Sequence, residues 1–79
     1  MKWTIVCLKG NKAIGYWVSG EIRTRTIELY DNKIEMKKEF ARCCLIIPTK
    51  YDESIIPAIV KVSTENDAED IRKSIEMHI

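Results

Sequence analysis

Histidine is the scarcest chemically useful residue in this chain: there is one, His78, at the end of the sequence. Histidine catalysis is therefore not expected, because a frayed helix end fixes no imidazole. A solvated cation that suits a helix C-terminus is the simpler reading. Cysteine is nearly as limited. Cys7, Cys43 and Cys44 make an odd count with two adjacent, which reads as reduced thiols serving at least partly as small core residues. A zinc site would need Cys7, Cys43 or Cys44 and His78 to converge without a C-x-x-C knuckle, so no metal is expected. A reactive thiol at Cys43 or Cys44 is the remaining route to catalysis, and no base accompanies it.

Three glycines leave little room for a phosphate loop. Gly10 and Gly15 have Walker-like spacing, but Tyr16-Trp17 follows where Lys and Ser/Thr are required. No G-x-S-x-G occurs, and Glu65, Asp67, Glu69 and Asp70 lack the turn glycine of a calcium loop. The chain is read as a non-enzyme with no catalytic residue and no cofactor. Long apolar runs are missing too. The longest, Cys43 to Ile47, is far too short to span a bilayer. Met1-Lys2-Trp3-Thr4 leads into strand-like alternation rather than a secretory leader, so a cytoplasmic location without membrane contact is expected.

What is present is periodicity. In 66–79 the apolar residues Ala68, Ile71, Ile75 and Ile79 recur at spacings of three and four, and Asn66 with Glu69 forms a capping-box pair. That spacing predicts a C-terminal helix, marginal alone and in need of a surface to lie on. The preceding residues supply strands. Trp3 to Leu8 reads as a central one, with Trp3, Ile5 and Cys7 on one face and Thr4, Val6 and Leu8 on the other. Lys9-Gly10-Asn11-Lys12 is a tight hairpin signal. Ala13 to Val18 follows, placing Ile14, Tyr16 and Val18 together opposite Trp17, with Gly15 marking a bulge or a close packing contact.

Ile22 to Tyr30 is expected as a third strand. Lys33 to Phe40 reads either as its hairpin partner or as a helix that aligns Met36, Phe40, Cys43 or Cys44, and Ile47 behind an Asn32 cap. The turn at Asp31-Asn32 favours the hairpin. Ala41 to Ile47 is expected as a buried strand stopped by Pro48, and 49–54 as a polar loop. Ile55 to Val62 is expected as a last strand that either lies at an edge or begins after the proline, because Pro57 offers no ladder N–H. The predicted fold is α+β: one domain over 1–79, a small antiparallel sheet of four to five meandering strands packed against a C-terminal helix.

Net charge is +1, unevenly spread: residues 1–50 carry ten Lys/Arg against five Asp/Glu, residues 51–79 three against seven. Such polarity favours partners that read one face. Size, polarity and open strand edges point to a non-catalytic protein-binding module, a small regulator or inhibitor that occludes a partner's surface or pairs as a homodimer. Thirteen isoleucines against three leucines suit AT-rich coding and a phage or mobile-element source. The alternative is nucleic-acid binding. Arg23, Arg25, Lys33, Lys37 and Lys38 would supply charge on one hairpin, and Trp17 and Tyr30 stacking surfaces. The same residues are the candidate partner-binding set.

Overall fold

The chain begins with two tight hairpins, each set by the φ angles its turn residues accept. In the computed structural model, which describes residues 2–62 and 69–70, strand β1 (Lys2–Lys9) turns through Gly10-Asn11 into β2 (Lys12–Val18). Gly10 takes φ 63° at the first turn position, where an L side chain would be strained. Ser19 and Gly20 both have positive φ, 49° and 84°. That pair suits the right-handed twist of the flanking strands and delivers β3 (Glu21–Arg23) antiparallel to β2.

After α1 (Lys33–Lys50), β4 (Ile55–Val62) returns antiparallel to β1, giving a four-stranded sheet of order β3-β2-β1-β4. The fold is α+β, an open antiparallel sheet with one helix packed on it. β1 is central and β4 lies at an edge, as the apolar run of one and the proline of the other imply. The helix expected over 66–79 lies outside the described residues except Glu69 and Asp70, which are helical and exposed.

The segment 33–47 is a correction. Instead of a hairpin strand followed by a buried strand, it is one continuous helix. Asn32 caps it, its side-chain oxygen accepting the N–H groups of Ile34 (2.9 Å) and Glu35 (3.2 Å). As a strand, the alternation from Ile34 breaks at Lys38. As a helix, Met36, Phe40, Cys43 and Ile47 fall on one stripe, and Met36, Cys43 and Ile47 are buried. Each strand reading used half of a pattern that only the longer period explains.

Pro48 does not end this element either. It sits in the last turn, where it merely withholds an N–H from the Cys44 carbonyl. The helix closes at Tyr51, whose N–H reaches the Ile47 carbonyl at 2.9 Å.

Two further expectations need correcting. Ile22 to Tyr30 is not a full strand: β3 ends at Arg23, and Thr24 to Thr26 is exposed. Tyr30 instead pairs with Trp3 through two backbone hydrogen bonds of 2.8 and 2.7 Å, beside β1 beyond its register with β2. Ile14 does not share a face with Tyr16 and Val18. The register runs Cys7↔Gly15 and then Leu8↔Ala13, which leaves Ile14 as an extra residue in a bulge. The bulge resets the alternation, so Ile14 packs with the Trp17 side and Ala13 with the Tyr16 side.

Both faces of the sheet are apolar. Ile5, Cys7 and Trp17 meet Tyr30, Met36, Cys43, Ile47 and Ile55 under α1. Val6, Tyr16 and Val18 form a second cluster on the opposite face, with Ile27 and Val60 packed against it. An isolated helix of this length is marginal in water. Burial of a side chain such as Ile47, about 1.5–3 kcal/mol each, is what holds α1 to the sheet.

Candidate functional site

The two outer strands of the sheet end differently. On β3, the Ile22 N–H donates to the Tyr51 hydroxyl at 2.9 Å, and Lys50 Nζ reaches the Gly20 carbonyl at 3.3 Å. The end of α1 thus covers that edge. On β4, the pairing with β1 is continuous over all eight residues, from Lys2↔Val62 to Lys9↔Ile55.

Which backbone groups of β4 face outward follows from geometry. Trp3 gives its N–H and C=O to Tyr30, away from β4, so alternate β1 residues Ile5, Cys7 and Lys9 also point that way. Their β4 partners Lys61, Ile59, Pro57 and Ile55 therefore turn their backbone groups to the open edge. Two facts agree with this assignment. Pro57, which has no N–H, occupies an outward position, and the Ile55 N–H bonds the Asp52 carbonyl at 3.1 Å rather than β1.

What remains outward is the N–H and C=O of Ile59 and Lys61, with no partner strand beyond β4 among the described residues. Apolar side chains flank them. Ile59, opposite Ile5, is 41% exposed on the helix side, and Ile56 is 64% exposed on the other face. A second exposed apolar surface is the outer side of α1, with Ile34 at 67% and Leu45 at 75%.

The residues singled out from sequence divide sharply. Trp17 is 0% exposed and Tyr30 8%, so neither presents a ring to a base, correcting the stacking role expected of them. Both were read as strand residues facing out, whereas α1 covers them. Arg23 pairs with Glu21 at 2.9 Å on β3, and Arg25 is exposed beyond it. Lys33, Lys37 and Lys38 are exposed on α1, not on a partner strand of Arg23, so the basic hairpin they were to share does not form. Cys7 and Cys43 are buried and Cys44 exposed. Cys43 is buried beside Cys7, and its hydrogen bond with Cys7 and then burial push its thiol up.

Between α1 and the β2–β3 end of the sheet lies a cleft of about 370 Å³. Glu35, Glu39, Arg42 and Ile46 line it from one stripe of α1. Glu28, Ser19 and Gly20 form the facing rim, above Trp17 and Tyr30. Glu39 is held on both oxygens, by the Trp17 indole N–H at 3.2 Å and by Arg42 at 2.9 Å. One Glu28 oxygen accepts the Ser19 N–H at 3.2 Å. Sequence reasoning missed these glutamates. The spacing 35, 39, 42, 46 would have grouped the helix-borne ones had the helical period been preferred.

No group of three or more His, Cys, Asp or Glu suited to a metal ion occurs among the described residues. No helix among them is long and apolar enough to cross a membrane. No protein-family model, curated protein or solved structure matches this chain.

Proposed function

We propose that the chain is a non-catalytic protein-binding module that takes an extended segment of a partner protein onto β4. The observation that carries this reading is the edge at Ile59 and Lys61, unpaired among the described residues, where two residues offer both backbone N–H and C=O beside exposed Ile56 and Ile59. Strand addition draws its affinity from such main-chain groups and its selectivity from alternate side chains. Pro57 limits the competent stretch to the C-terminal half of β4, which favours a short segment over indefinite edge-to-edge growth. A small regulator or inhibitor that covers a partner's surface is the form this reading takes, and a second copy of the chain is the simplest partner. The nucleic-acid alternative loses Trp17 and Tyr30, the two rings it relied on for stacking, because both are buried.

The test is Ile59→Pro, which deletes an outward N–H without touching the ladder to β1. Amide exchange and light scattering would be measured on the wild type and the variant, alone and with partner proteins recovered by capture on the wild type. Slow exchange of the Ile59 and Lys61 amides in the associated state, lost with association in Ile59→Pro, supports the reading. Fast exchange of both amides in every associated state refutes it.

A further inference from the structure

The outward backbone groups of β4 belong to Ile55, Pro57, Ile59 and Lys61, and they are not equivalent. The Ile55 N–H is taken by the Asp52 carbonyl and Pro57 has none, so these two can only accept. Ile59 and Lys61 can both donate and accept. Lys61 is also the single charged residue of the strand, whose other members are all apolar. Any strand added here must bond at Ile59 and Lys61, tolerate one lysine and cover isoleucine.

We propose, resting on the reading of β4 given above, that the strand taken up at this edge is β4 of a second copy of the chain, antiparallel, with Ile59 facing Ile59 across a two-fold axis. Such an axis makes each contact reciprocal, and an antiparallel pair sets outward residues against outward residues. Among the described residues, two registers use both groups of Ile59: Ile59 against the second copy's Lys61, or Ile59 against the second copy's Ile59. Main-chain bonding does not separate them, because in each the Ile59 and Lys61 N–H groups of both copies are met. In the second register it is the Pro57 carbonyl that accepts from Lys61, a role that needs no N–H.

Side chains decide between the two. With Ile59 against Lys61, the two lysines lie on a diagonal about 7–8 Å apart, within the screening length of about 8–10 Å, and each isoleucine faces a charged stem. With Ile59 against Ile59, the lysines move to opposite ends of the pair, about 13 Å apart along the strands and beyond that length. The exposed Ile59 side chains then cover each other, and exposed Ile56 comes opposite the second copy's Val62. The two sheets join into one through β4. Growth stops there, since the far edge of each copy is β3, over which the end of α1 is fastened by Tyr51 and Lys50. A contact of one strand pair belongs to the small class under about 1,200 Å², so a dissociation constant of roughly 0.1–1 mM is expected.

The experiment combines sedimentation equilibrium of the whole chain with cysteine crosslinking. Wild type should pass from monomer to dimer, and no further, as its concentration rises to about 1 mM, with the Ile59 and Lys61 amides exchanging several-fold more slowly at the top of that range. Crosslinking is done in Cys44→Ser, since Cys44 is exposed whereas Cys7 and Cys43 are buried. Ile59→Cys should then form an intermolecular disulfide, because facing residues of a bonded pair stand about 5.5 Å apart between Cα atoms, within disulfide reach. Val60→Cys should not, since it faces the second copy's Ala58. A disulfide at Val60 in place of Ile59 shows the other register and overturns the proposal, as does a dimer that survives Ile59→Pro. A wild type still monomeric at about 1 mM overturns it too. In that last case, Ile59 and Lys61 amides slowed by a different protein would leave the β4 reading standing, whereas fast exchange of both in every complex would remove that reading as well.

Discussion

The β3 and β4 edges of one sheet are finished in opposite ways among the described residues. β3 is three residues long, and the end of α1 is fastened over it by Tyr51 and Lys50. β4 is eight residues long and, among the described residues, is protected over half its length only, by a proline and by the Asp52 carbonyl. Short strands, prolines and covering segments are the usual means of silencing an edge. Among the described residues, a cover lies on one side and two outward residues stand on the other. Unpaired backbone groups bordered by isoleucine are therefore concentrated at the β4 edge.

The largest effect on this contrast should come from Gly15→Ala. A Cβ there would meet the Arg23 carbonyl oxygen and Ile22 Cγ2 at 2.8 Å each, so β3 would have to move off β2. Overpacking of this kind costs about 1–3 kcal/mol. A urea midpoint unchanged from wild type would show that β3 is not a firm part of the sheet.

Tyr51→Phe should have a smaller effect, about 0.5–1.5 kcal/mol for one hydrogen bond, because the freed Ile22 N–H can turn to water. Amide exchange reads it directly: Ile22 should exchange faster in the variant. If it does not, the helix end is not what closes this edge.

Acid provides the smallest and most local change. Hydrogen bonds from Ser54 and then Lys9, 3.3 Å away, hold the Asp52 carboxyl below its ordinary value of 3.8 at the entrance to β4. On the β3 edge, Arg23 similarly lowers Glu21 from 4.5. A lowered folded value means the stabilisation is fully present above the ordinary value and is lost as pH falls through the folded one. Stability followed by urea midpoint should therefore be insensitive to these two groups from neutrality down to about pH 5 and fall below about pH 4. Asp52→Asn should remove part of that acid response. Both groups sit at the surface, so the change is small, and a loss centred above pH 5 would contradict the assignment.

Legibility differed by period and by distance along the chain. The Gly10-Asn11 turn, the faces of β1, the edge position of β4 and the special role of Gly15 were all written in local residue types. The Lys33–Lys50 helix was legible only as an alternative. Its lysines and glutamates alternate closely enough to mimic a strand, and the arbitrating stripe from Met36 to Ile47 appears only when the whole stretch is taken together. That one choice of period decided the candidate site. Read as strands, Trp17 and Tyr30 face solvent. Beneath a helix they become the floor of a cleft walled by Glu35 and Glu39, residues the strand reading had sent outward.

Alternation, turn chemistry and the missing N–H of a proline act within a few residues, so the sequence by itself determined the hairpins, the central strand and the exposed rank of β4. The closing of one edge, the burial of the two aromatics and the gathering of Glu28 with two glutamates of α1 were decided by tertiary structure alone. They depend on which surface an amphipathic helix covers, and that preference is shared among residues far apart in the chain, with no single local signal to carry it.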